Sequence, residues 1–307
     1  MKIEYRQLLA EGREKLQEAT PPARRSSTPY LDAMVLLCHR IGIGREALYR
    51  QLTDAIEPED PLVVQYRADI EARAGGTPVA YLVGSKEFWG LDLEVGPGVL
   101  IPRPDTETLV EAALEALGRA PDGRIMADAA RLEAPVQAPR ILDLCTGSGA
   151  VGIALANEIP DAEVSISDIS EDALAYARPN AERIVPGRIR VLRGDLFEPC
   201  GQGDARFDVI TANPPYVASG EYQQLLAHNW GEPPIALEGG PDGLELIRRL
   251  VSEAPQFLRE GGSLHIEAGI DQTGLIGNIM RAAGFTDIKR TADLSGRPRV
   301  TSGRIVA

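Results

Sequence analysis

From Arg140 onward, short apolar runs alternate with segments of helical periodicity: RILDLC, AVGIALANEI, AEVSISD, ALAYARPNAERI, IRVLRGD and FDVITA. A strand that reaches its neighbour through a helix lies parallel to it, and a parallel sheet needs apolar cover on both faces. This alternation predicts an α/β, Rossmann-like sheet with helices on both sides.

The preceding residues follow another pattern. Ile3, Leu8, Leu9 and Leu16 sit at helical spacing, LDAMVLLCHRIG ends at a glycine, and a third helical run extends from Pro61 to about Ala74. Gly75-Gly76-Thr77-Pro78 breaks the pattern, and VAYLVGSKEFWGLDLEVGPGVLIPRP then reads as strand-like alternation punctuated by glycine. The expected organisation is a helical domain over 1–75, a β-hairpin linker over 76–104 and the α/β domain over 105–307. Within the last, residues 118–139, rich in Ala, Pro and polar side chains, read as a flexible insertion.

Composition narrows the partners. A net charge of −13 argues against an extended grip on phosphate backbones. Three scattered cysteines (Cys38, Cys145, Cys200) give neither a disulfide framework nor a metal spacing, so no metal is expected. No run approaches the ~20 apolar residues of a membrane span, and MKIEYRQLLAEG lacks an apolar signal core. A soluble, cytoplasmic setting, with no membrane partner and no stable nucleic-acid partner, is the expectation.

Gly147-Ser148-Gly149-Ala150-Val151-Gly152 follows the first strand of the α/β region and opens a helix, and Asp168 ends the next strand. Alone, this matches a dinucleotide fingerprint. Asp143, four positions before the first glycine, would repel a pyrophosphate but favour a cation. S-adenosylmethionine carries an ammonium and a sulfonium and no phosphate. Asp168 suits its ribose hydroxyls, Asp195 in RGDLF suits the adenine amino group, and Leu196 or Phe197 could pack on the ring. Blander roles exist: Asp168 could cap the helix beginning near Ser170, and Asp195 could close a turn.

Asn213-Pro214-Pro215-Tyr216 follows FDVITA at the same sheet edge. Prolines cannot continue a strand, and they fix the direction of a carbonyl. The Asn213 oxygen and the Pro214 carbonyl could accept both hydrogens of a planar NH2 group while Tyr216 packs on its flat face. Acceptors on those hydrogens return electron density to a poorly nucleophilic nitrogen and aim it at a methyl carbon.

These stretches carry a resemblance to a family. IPRPDTE (101–107), DLCTGSGAVGIALA (143–156), SDIS (167–170), GDLF (194–197), NPPY (213–216), PPIALEGGPDGL (233–244) and DLSGRPRV (293–300) are similar to those of the HemK/PrmC protein-glutamine methyltransferases. NPPY alone is shared with DNA adenine methyltransferases; its combination with the other stretches is specific. The resemblance implies a class I S-adenosylmethionine-dependent methyltransferase sheet and methylation of the glutamine of a Gly-Gly-Gln motif in peptide chain release factors. A ribosomal-protein glutamine or a DNA adenine amino group is the alternative, and a monomer is expected. By motif, the cofactor would meet Asp143, Thr146, Gly147, Ser148, Gly149, Asp168, Asp195, Leu196, Phe197 and Asn213. Asn213, Pro214 and Tyr216 would be catalytic. With Pro215 they would line the glutamine pocket, bordered by Arg103, Pro104 and Glu107. Two departures stand out: the 118–139 insertion is long, and Glu267-Ala268-Gly269 replaces an expected β-branched residue before the glycine, apart from the proposed chemistry. His39, His228 and His265 show no ligand pattern, Trp89 and Trp230 are expected to pack, and Glu238-Gly239-Gly240 could be a plain turn or a lid.

Overall fold

The computed structural model describes residues 2–19, 26–120, 137–201, 206–227 and 231–306. It divides into two compact units, 1–85 with 223–231, and 86–222 with 232–307. The expected insertion at 118–139 falls largely outside the described residues, as do His228 and Trp230.

In the first unit β1 (Ile3–Glu4) leads into α1 (Tyr5–Gln17), followed by α2 (Pro29–Ile41), α3 (Arg45–Arg50), β2 (Ala55–Ile56), α4 (Pro61–Ala74) and α5 (Val79–Val83). The apolar stripes of α1, α2 and α4 meet in a core of Leu8, Leu16, Leu36, Leu37, Val63 and Ile70. Two ion pairs tie α2 to α4 in both directions: Arg40 to Asp69 at 2.5 Å and Arg73 to Asp32 at 2.8 Å. The linker differs from the sequence expectation. Val79, Leu82 and Val83 pack on this core at helical spacing, so VAYLV is a short helix, and the hairpin is confined to β3 (Ser85–Phe88) and β4 (Leu91–Glu94). Periodicity over five residues cannot separate the two forms.

The second unit contains α6 (Glu107–Ala116), β5 (Arg140–Leu144), α7 (Ala150–Glu158), β6 (Glu163–Asp168), α8 (Glu171–Ile184), β7 (Ile189–Arg193) and β8 (Phe207–Ala212). After α9 (Ser219–Ala227) come α10 (Glu245–Glu253), β9 (Leu258–Glu267), α11 (Thr273–Ala282), β10 (Thr286–Ala292) and β11 (Pro298–Arg304). Seven strands form one sheet in the order β10-β11-β9-β8-β5-β6-β7. β9, β8, β5, β6 and β7 run parallel, and β11 and β10 are added antiparallel at one edge. Chain order reverses beside β5, whose neighbours are β6 and β8, so a crevice opens at the C-terminal ends of these strands.

Helices cover both faces, as the apolar runs require. Leu109, Ile153 and Leu174 from α6, α7 and α8 meet one face, and Ile247, Leu250 and Ile276 from α10 and α11 meet the other. Trp89 packs against the first of these cores, and its Nε1 donates to Glu158 at 3.0 Å. His265 is buried inside the sheet, where Ser263 bonds Nε2 and Ser302 bonds Nδ1, each at 2.8 Å. Burial lowers its pKa to about 3 and keeps the ring neutral.

Candidate active site

Asp143 organises the glycine loop. Its carboxylate is 1% exposed; Oδ2 accepts from Thr146 Oγ1 at 2.5 Å and Gly152 N at 3.2 Å, and Oδ1 from Thr211 Oγ1 at 2.7 Å. Burial pushes its carboxyl up to about 6, against the pull of these donors. The loop turns through Cys145, Gly147 and Gly149, all at positive φ (54°, 58° and 88°), before α7 begins. At Gly152 a Cβ would stand 2.3 Å from Ile166 Cγ2, so only glycine lets α7 settle this closely on β6. Expected as a counter-charge for a cation, Asp143 does line the cavity, yet its oxygens already hold three protein donors.

Asp168 reaches across to the same loop. Oδ2 accepts from Gly147 N and Oδ1 from Ser170 N, both at 2.9 Å. Ser170 itself caps α8 by accepting from Ala173 N, so the capping role open to Asp168 belongs to its neighbour. The Ile169 amide also bears on the carboxylate, which with about four acceptor sites keeps room for a further donor. Burial raises the Asp168 carboxyl above its usual range.

The loop after β7 splits the expected ring contacts. Leu196, buried and strained at φ 47°, lines the cavity with Asp195, whose Oδ2 is held by Arg249 Nη2 at 2.8 Å. Phe197 does not line it. Its ring stacks on Phe257, centroids 4.5 Å apart, within the core against α10 and α11.

Together these segments enclose a cavity of about 570 Å³, walled also by 98–103, Thr106, Asn213, Pro215 and the segment 233–240. That volume suits a small-molecule ligand. The hydroxyls of Ser148 and Ser167, both in its walls, are buried with no hydrogen-bond partner among the described residues. Buried polar atoms rarely stay unpaired, so these two point to a polar ligand.

NPPY follows β8. Asn213 and Pro215 line the cavity; Pro214 and Tyr216 are absent from its lining. Tyr216 packs on the core, with burial first, and the Glu267 charge next, pushing its phenol up to about 12. The segment is stitched to the EGG stretch: Val217 N donates to Leu237 O at 2.8 Å and Gly239 N to Val217 O at 2.9 Å. A Cβ at Gly243 would stand 2.1 Å from the Tyr216 carbonyl oxygen, so the glycines of EGGPDG permit a close backbone approach. This stretch is therefore a cavity wall anchored to the NPPY loop rather than an isolated turn.

The PRPDTE stretch also divides. Arg103 and Thr106 line the cavity, whereas Pro104 opens a short 3₁₀ turn and Glu107 accepts from Trp89 N at 2.9 Å, both outside the lining. Arg103 pairs with Glu232, which is 6% exposed and accepts from Ile101 N at 2.8 Å.

Glu267 corrects the sequence reading. Judged remote from the chemistry, this carboxylate lies at the end of β9, 2% exposed, beside Asn213, since Ile266 pairs with Ala212 across β9 and β8, and the polar groups of Thr106 and Asn213 pull its pKa down against burial. Asn213 Nδ2 also donates to Thr106 Oγ1 at 3.4 Å. Burial raises the Glu267 carboxyl to about 7. Thr106, Glu232, Arg249 and Glu267 all escaped sequence reasoning; a glutamate ending an apolar strand was the one usable signal.

A parallel-centred seven-stranded sheet with a glycine loop, strand-end acids and NPPY at one crevice defines a Rossmann-like methyltransferase. Residues 127–230 match the methyltransferase small domain and residues 7–84 the PrmC N-terminal domain. The release factor glutamine methyltransferase of Burkholderia pseudomallei is 38% identical over 92% of this chain and 94% of its own. That of Vibrio cholerae is 35% identical over 99% and 98%. A methyltransferase from Pyrococcus furiosus, 19% identical, shares the fold over 72% of this chain and 92% of its own, with a TM-score of 0.50. The chain belongs to the release factor glutamine methyltransferase family.

Proposed function

We infer that the protein methylates the side-chain amide nitrogen of the glutamine in the Gly-Gly-Gln motif of peptide chain release factors, with S-adenosylmethionine as donor. The observation that carries this reading is Asn213. It lines the cavity beside the glycine loop, and its Nδ2 end is engaged by Thr106, leaving Oδ1 for an NH2 group.

The cavity fits the donor. Asp168 would accept from ribose hydroxyls, Leu196 and Asp195 would border the adenine, and the amides of the glycine loop with the Ser148 and Ser167 hydroxyls would meet its polar groups. When bound, S-adenosylmethionine supplies an electrophilic methyl group on a positively charged sulfur. Asn213 Oδ1 would accept one amide hydrogen, and the Pro214 carbonyl, next to the lining residues Asn213 and Pro215 though not itself in the lining, would accept the other, turning the nitrogen lone pair toward that methyl. Positive charge would grow on nitrogen as its bond to the methyl forms and the methyl–sulfur bond breaks, with one amide hydrogen leaving as a proton afterwards, so these acceptors would bind the transition state more strongly than the ground state. The segment 233–240 and the Arg103–Glu232 pair would exclude water.

A single glutamine side chain offers little surface for selectivity, and the helical unit supplies the further contacts with the release factor. The net charge of −13 disfavours a nucleic-acid substrate. A release-factor substrate would fit a cytoplasmic setting. Incubation with labelled S-adenosylmethionine and, separately, release factor, ribosomal proteins and DNA tests the reading. Label on the Gly-Gly-Gln glutamine is expected; label only on another substrate overturns it.

A further inference from the structure

A buried carboxylate is costly unless it is paired or hydrogen-bonded. Glu267 is 2% exposed, and its Oε2 has no hydrogen-bond partner among the described residues. The positive charge that acts on it, Arg299 on β11, is shared with Asp105 at 2.6 Å and Asp293 at 3.2 Å. Asp105 before α6 adds a like charge, and Tyr216 faces it as a phenol that stays protonated at neutral pH. As packing, an amide of the same shape would fill the position at lower cost.

What a carboxylate offers that an amide does not is one-way hydrogen bonding. Ionised, it only accepts. Asn213 and Glu267 follow the paired residues Ala212 and Ile266 at the ends of β8 and β9, so any hydrogen bond that Asn213 or Thr106 makes with the carboxylate is one that they donate. Thr106 Oγ1 can give its proton to Glu267 and accept from Asn213 Nδ2, the contact seen at 3.4 Å. The asparagine amide is thereby fixed end for end, with Nδ2 toward the sheet and Oδ1 left for the cavity. A neutral group at 267 could donate to Oδ1. The amide could then reverse and present its own N–H groups to the NH2 it has to accept.

We propose that Glu267 is a positioning residue for methyl transfer, its ionised carboxylate holding Asn213 through Nδ2, with Thr106, so that Oδ1 faces the substrate nitrogen. This rests on reading Asn213 as the residue that holds the glutamine. Because burial brings the Glu267 carboxyl to about 7, protonation would release the lock near neutral pH.

The test uses the full-length protein and Glu267→Gln, an isosteric change whose folding is checked by thermal melting. Single-turnover methylation of release factor at saturating S-adenosylmethionine is followed across neutral pH, with cofactor affinity and peptide KM measured in parallel. The wild-type rate should rise by up to ~10²-fold through about pH 7, the order of loss that follows when an orienting group is misplaced by about 1 Å. Glu267→Gln should stay at the low acid rate at every pH, with cofactor affinity unchanged and kcat altered more than KM. A variant with the wild-type rate and pH profile overturns the positioning role alone. A wild type that labels no glutamine overturns the proposed function, and the positioning role with it.

Discussion

The amide of Gly147 donates to Oδ2 of Asp168 at 2.9 Å, so an acid at the end of β6 fixes the loop that follows β5. One side chain thus shapes the cofactor loop and, in the proposed complex, meets the ribose. Asp168→Ala should lower S-adenosylmethionine affinity at least ~10-fold, since a charge-assisted hydrogen bond contributes ~1.5–3 kcal/mol. Unchanged affinity by calorimetry would remove Asp168 from the site.

Asn213→Ala should reduce kcat by ~10²-fold or more while changing cofactor affinity less, as expected for a partner that acts on the transition state. Asn213→Gln should fail too, because its extra methylene displaces the acceptor by over ~1 Å. Single-turnover methylation of release factor measures both; near-normal turnover in Asn213→Ala would rule out the proposed mechanism.

Gly243→Ala should disturb the NPPY loop from outside the cavity. Its Cβ would sit 2.1 Å from the Tyr216 carbonyl oxygen, and φ is already 73°, so either loop must shift. A loss of ~10²-fold in activity is expected from a displacement of about 1 Å at Asn213. Gly44→Ala, where no atom crowds the added carbon and φ is −74°, is the control and should leave activity on a short Gly-Gly-Gln peptide intact.

Stability should respond to pH through Glu267. Its folded pKa, about 7, lies above the ordinary value, so the folded state holds the proton more tightly than the unfolded chain. The favourable contribution is complete below the ordinary glutamate range near ~4.3 and disappears as pH rises through about 7. Glu267→Gln removes this dependence. Its stability advantage over the wild type should grow across that interval to the order of 1–3 kcal/mol. Denaturant titrations at acidic and mildly alkaline pH measure it; equal stabilities at both would mean that Glu267 ionises freely in the folded protein.

Much of this architecture was legible from local pattern. The apolar runs from RILDLC to FDVITA gave the strands because each is short and bounded by helices, and the glycine loop and NPPY fell at their C-terminal ends because chain direction fixes that edge. VAYLV misled because five residues cannot distinguish two periods. Phe197 misled for another reason: adjacency to Leu196 says nothing about which of two successive side chains faces a cavity and which stacks on Phe257. Glu232 and Glu267 lie far in sequence from Arg103 and Asn213, and only the folded chain brings them into contact.

His265, pinned between two serines with its pKa lowered to about 3, has a further consequence. Titration near neutrality is usually the property of imidazole. Among the described residues no histidine lines the cavity, and the carboxyls of Glu267 and Asp143, at about 7 and about 6, occupy that range. A pH-dependent rate should therefore follow the carboxyl at 267 and flatten in Glu267→Gln, with the buried imidazole of His265 taking no part in the titration.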